Sequence, residues 1–88
     1  MILEIKRKHT RGAERRCPKR CPVHNALQEM FPDHAVSAGC QEASVLHPIS
    51  GQSRIFLYSA ILEKVVKNYD HEDRAFKIGR YRLTELTF

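Results

Sequence analysis

Cys17-Pro18-Lys19-Arg20-Cys21-Pro22-Val23-His24 sets two thiols and an imidazole at C-x3-C-x2-H spacing, and Cys40 supplies a third thiol downstream. Thiolates and a neutral imidazole are the ligands of tetrahedral Zn2+, an ion that staples small domains and orders loops. On this reading Cys17, Cys21, His24 and Cys40 are the candidate metal ligands, with Cys40 reaching the site if its hairpin returns over the helix that begins after Cys21. A competing reading needs no cofactor: Cys21 caps or underlies that helix, Cys40 is a small buried hydrophobe and Cys17 belongs to a loop. The same residues can be read as a nucleophile and its base, since a thiol at a helix N-terminus has a lowered pKa. No orienting third group or oxyanion donor can be placed beside them, so the chain is expected to be non-enzymatic. Asp70-His71-Glu72-Asp73 lacks the spacing of a calcium loop and is expected to be a solvated turn.

The second chemistry is charge. The net +5 of the 88 residues divides unevenly: residues 1–24 carry +6, residues 25–73 carry −4 and residues 74–88 carry +3. Density of this kind neutralises phosphates or meets an acidic protein surface. The candidate partner-binding residues are therefore Lys6, Lys8, Arg11, Arg15, Arg16, Lys19, Arg20, Arg80 and Arg82. The aromatic residues Phe31, Phe56, Tyr58, Tyr69, Phe76, Tyr81 and Phe88 are mostly claimed by the expected core. No base-stacking strand, helix-turn-helix or basic region with heptads is visible. Binding would be to backbone charge or to carboxylates.

A mass of 10.2 kDa allows one small domain with one core and excludes a two-domain enzyme. The N-terminal segment has an acid, Glu4, inside its apolar stretch and lacks a signal-peptide core. Nothing approaches the roughly 18 apolar residues of a membrane helix. An odd number of cysteines without an export signal argues for reduced thiols or a metal. The expected location is the cytoplasm.

These residues must be positioned by short elements. Residues 2–8 alternate, with Leu3, Ile5 and the stem of Arg7 on one side, as in a half-buried strand. Residues 9–20 read as a mobile basic loop. Pro22 opens a helix whose apolar face is Val23, Ala26, Leu27 and Met30, ending at Pro32. Between Ala35 and Leu57 a hairpin or short meander is expected, with Val36, Ala38, Val45, Ile55 and Leu57 inward. Ser59 caps a second helix presenting Ile61, Leu62, Val65, Val66 and Tyr69, which gives out at Asp70. In the last strand a bulge at Gly79 would reconcile Phe76 and Ile78 with Tyr81 and Leu83 and turn Arg80 and Arg82 together to solvent. The order strand, helix, strand hairpin, helix, strand predicts an α+β ferredoxin-like sandwich, a mostly antiparallel sheet with two helices on one face. First and last strands would be neighbours, merging the two basic ends.

Cys21-Pro22-Val23-His24-Asn25-Ala26-Leu27, then Val65-Val66-Lys67-Asn68-Tyr69-Asp70 and Ala75-Phe76-Lys77-Ile78, resemble small uncharacterised proteins of tailed phages and prophages that have a Cys-Pro-Ile-x-x-Ala-Leu helix start. The resemblance spans about two thirds of the chain. This sequence departs from the pattern in having Val23 and His24 after Cys-Pro, no Gly after Asp70 and a more basic first loop. The resemblance carries no activity and implies only a context, in which small phage proteins bind host machinery. The expected partner is thus a host protein or nucleoprotein complex, inhibited in the manner of an anti-CRISPR. The alternative is direct binding of DNA or RNA by an accessory or regulatory protein.

Overall fold

The structure is a computed structural model and describes residues 1–86, so Phe88 lies outside the described residues. The elements are β1 (Ile2–Ile5), α1 (Arg7–Thr10), α2 (Pro22–Met30), β2 (Ala35–Ala38), β3 (Glu42–Leu46), β4 (Ser53–Tyr58), α3 (Ala60–His71) and β5 (Gly79–Leu86). All five strands pair antiparallel in the order β1-β5-β4-β3-β2. Helices cover one face of this sheet and leave the other open, an α+β sandwich. First and last strands are neighbours as expected, with Leu3 opposite Tyr81 and Glu4 opposite Arg80.

Both long helices start where their caps dictate. Pro22 occupies the first turn of α2, where its missing N–H costs nothing, and the Cys21 Sγ accepts the His24 N–H at 3.4 Å. Ser59 caps α3 by accepting the Leu62 N–H at 3.3 Å. Val23, Ala26 and Leu27 of α2 and Leu62, Val66 and Tyr69 of α3 are buried against Leu3, Ile5, Val36, Val45, Phe56 and Leu83 of the sheet.

Five expectations change. Met30 and Ile61, expected on the apolar faces of α2 and α3, are instead 47% and 71% exposed. β1 ends at Ile5 because the Lys6 N–H donates to His9 Nδ1 and starts the short helix α1, burying His9 where a loop was expected. The phase of β4 is reversed: Phe56 and Tyr58 are buried while Leu57 is 38% exposed and Ile55 half-exposed. Ile55-Phe56-Leu57-Tyr58 is apolar on both faces, so alternation cannot choose, and the larger aromatic rings take the core. Residues 73–78 are not strand, so no bulge is needed. Phe76 instead wedges edge-on between the rings of Tyr69 and Tyr81, and Ile78 is exposed. β5 opens at Gly79, whose φ of 155° is a conformation that side chains rarely adopt. α3 continues through Asp70 to His71.

No helix among the described residues is long and apolar enough to cross a membrane.

Candidate functional site

The structure divides the basic residues between two places. The segment 11–20 does not join the last strand. It crosses to the C-terminal end of α3, where the acidic residues lie. The Arg16 N–H donates to Asp70 Oδ1 at 2.9 Å. The Arg15 guanidinium lies 4.4 Å from the Tyr69 ring centroid, donates to the Arg74 carbonyl and stands 3.5 Å from Asp73. On its other side the segment is fastened to β2, with the Ala38 N–H donating to the Pro18 carbonyl at 2.9 Å. Arg20 pairs with Glu14 at 3.3 Å, and the Glu14 N–H closes the segment on the Arg20 carbonyl. These bonds hold a stretch expected to be mobile, and they turn the acidic turn into its anchor.

The second place is the open face of the sheet along β1 and β5. Arg80 and Arg82 project to solvent together, as expected. Glu4 sits between Arg80, at 3.0 Å, and Lys6, at 3.4 Å, and the Arg80 hydrogen bond first, then Lys6, lowers its pKa. Arg82 stands opposite Ile2 and has no acidic partner within 4 Å among the described residues. Beside these cations the same face carries Ile2, Leu57, Ile55 and Leu46, interspersed with Thr84, Ser44 and Glu42, and sequence reading placed Ile55 and Leu57 in the core. Each cation here is exposed, so its ion pair contributes little to stability. Lys8 lies elsewhere, pairing with Glu29 on α2 at 2.9 Å, and Arg11 is exposed beyond α1. Buried His9 donates from Nε2 to the same Glu29 at 3.1 Å. Lys8 first, then His9, lowers the pKa of Glu29.

The cysteines do meet. Cys17, Cys21 and Cys40 line one cleft of about 210 Å³ with Arg16, Gly39, Asp70 and His71. Cys40 is exposed, not a buried hydrophobe, while Cys17 and Cys21 are half-buried. His24 is not part of this lining, and its Nδ1 faces Asn25 Oδ1 at 3.2 Å. Among the described residues no group of three or more Cys, His, Asp or Glu side chains is placed so that it could hold a metal ion. Burial raises the Cys21 thiol pKa, the reverse of what a nucleophile at a helix start requires.

Sequence reading did not group His71, at the end of α3, with the cysteines whose cleft it lines, since they lie 31 to 54 residues away in sequence. It also missed the clamp of Arg54 on Glu85, two bonds of 2.8 Å with the guanidinium over the rings of Phe31 and Phe56. The pairing of Phe56 with Glu85 across β4 and β5 is a register fact that local pattern does not carry.

Fold and sites together define a one-domain α+β sandwich with one bare, basic and apolar sheet face. The chain has no match among protein-family models, curated proteins or solved structures.

Proposed function

We propose that this chain is a non-enzymatic binding protein of phage type that inhibits a host nucleic-acid-handling defence complex, docking through the open face along β1 and β5. The observation that carries this reading is the combination on one uncovered sheet face of Arg80, Arg82 and Lys6 with the apolar residues Ile2 and Leu57. An apolar centre rimmed by cations suits an acidic protein surface, since apolar burial supplies affinity and charge supplies rate and register. A bare polyanion would use only the cations, and several of these are answered by carboxylates of the same chain: Lys6 and Arg80 by Glu4, Lys8 by Glu29 and Arg20 by Glu14.

The test is affinity capture from a phage-host lysate at moderate salt, comparing the natural chain with the R80E/R82E double variant. Recovery of a nucleic-acid-handling complex by the natural chain and its loss with the variant is the expected result. Failure to recover any protein partner overturns the reading.

Direct nucleic-acid binding is the second reading. It is favoured by Arg7, Arg11, Lys19 and Arg82, which have no acidic partner within 4 Å among the described residues. If about 5 cations contact duplex phosphates, log K falls with log salt at a slope near −4.5. A flat salt dependence, or no complex at about 50 mM salt, removes this alternative.

A further inference from the structure

We propose that the open face of the sheet pairs with the same face of a second copy of this chain, Arg82 of each copy meeting Glu42 of the other about a two-fold axis near Leu57. Both charged residues are exposed, and neither has an oppositely charged partner within 4 Å among the described residues. Their places follow from register. Leu57 stands directly between Glu42 on β3 and Thr84 on β5, and Arg82 lies two residues along β5 from Thr84 on the same face. The carboxylate and the cation thus flank the exposed Leu57 from opposite sides. Two strand spacings across and two residues along set their backbones roughly 12 Å apart. Each therefore lacks a counter-charge in its own copy that the other copy can supply.

A contact between identical surfaces requires a surface that complements itself. An axis lying between the two facing sheets, passing beside Leu57 and crossing the line from Arg82 to Glu42, exchanges these two positions, so the ion pair forms twice. The same operation carries Ile2, which stands opposite Arg82 on β1, to the far side of Glu42. There the face is hollowed, with about 290 Å³ of space lined by Ser37, Glu42, Ser44 and Ile55. The exposed Ile2 side chain thus meets small serines that leave room for it, and Leu57 lies close to the axis against its own counterpart. Facing sheets stack about 10 Å apart with their side chains interdigitated, which this alternation of bulky and small positions allows. Arg80 remains with Glu4, so the face carries both signs of charge and does not simply repel its copy. Apolar burial supplies the attraction, and the two ion pairs set the register. The second copy and the acidic host surface compete for one face. The contact is accordingly transient, with a dissociation constant of about 10–100 µM expected for a small interface of this kind.

The purified chain alone suffices for the test, so this proposal and the host-partner reading fail separately. Sedimentation equilibrium between about 1 µM and about 1 mM compares the natural chain with R82E, E42R and the R82E/E42R double variant. The natural chain should pass from 10.2 kDa towards twice that mass as concentration rises. Each single reversal sets like charges against each other and should weaken association by about 10- to 100-fold. The double variant restores opposite charges and should return to within about threefold of the natural chain. Both positions are exposed, and circular dichroism verifies that the variants keep the fold. A natural chain that stays at 10.2 kDa at about 1 mM overturns the proposal. So does a single reversal that associates as the natural chain does, or a double variant no stronger than the single ones.

Discussion

The two faces of the sheet treat neighbouring residues of the same chemistry in opposite ways. On β4, Phe56 is fully buried beneath the helices while Leu57 looks out from the open face. The cations divide likewise. Arg15 is stacked on Tyr69 and bonded to the Arg74 carbonyl beyond the end of α3, whereas Arg82 stands in solvent beside Ile2. The basic loop, the densest charge in the chain, is thus partly consumed in holding the fold through Arg15, Arg16 and Arg20, and on β5 Arg80 is paired with Glu4 while Arg82 has no acidic partner among the described residues. Counting charge along a sequence therefore misjudges which charges are available.

The widest gap between the faces lies in packing. Phe56→Ala should cost about 3–5 kcal/mol, whereas Leu57→Ala should change stability by less than about 1 kcal/mol, both read from urea unfolding. Equal losses would mean that the open face is covered by structure. Next is binding. Reversing Arg80 and Arg82 should weaken partner capture by about 10- to 100-fold while leaving the melting temperature within a few degrees, because truncating or reversing interface charges acts on rate and pairing and not on the core.

Arg15→Ala comes third, with an expected loss of about 1–2 kcal/mol from its cation-π contact and hydrogen bond, against less than about 0.5 kcal/mol for Arg82→Ala. Thermal melts of the two variants would merge the two classes of cation if they shifted equally. For the same reason, replacing Arg15, Arg16, Lys19 and Arg20 together should lower stability, and cannot serve as a pure binding variant.

The smallest effect is one of pH. Glu4, Glu29 and Glu85 have pKa values lowered by Arg80, Lys8 and Arg54 respectively. A carboxylate whose pKa is lower in the folded state stabilises fully above its unfolded value, here 4.5, and loses that contribution as pH falls through the folded value. Melting temperature should therefore decline below that point, and Glu29→Gln should decline less steeply across the same window. An unchanged slope would show that the Lys8 and His9 contacts with Glu29 are not maintained in solution. All three groups are exposed, so the effect is modest.

Much of the frame was legible because its signals are local. Pro22 and Ser59 marked helix starts, and the spacing of Val23, Ala26, Leu27 and Met30 marked a stripe that is buried except for Met30. What failed did so where local pattern is degenerate. Ile55 to Tyr58 offers two apolar faces to one core, and the run from Phe76 to Leu83 hides a change from loop to strand that a bulge could mimic. The cysteine cleft was half legible. Cys17, Cys21 and Cys40 were grouped by residue type, but His24 was chosen by nearness in sequence, and its side chain faces Asn25 instead of the cleft.

The sequence by itself determined the class of fold, the helix caps, the pairing of first with last strand and the existence of basic ends and three thiols. These follow from propensity, capping and alternation, which act over a few residues. Tertiary structure alone decided which face of β4 is buried, that the basic loop docks on Asp70 and Tyr69, and that His71 shares a cleft with the cysteines. Each of these depends on contacts between residues tens of positions apart, where the free energy of packing, not local preference, selects the partner.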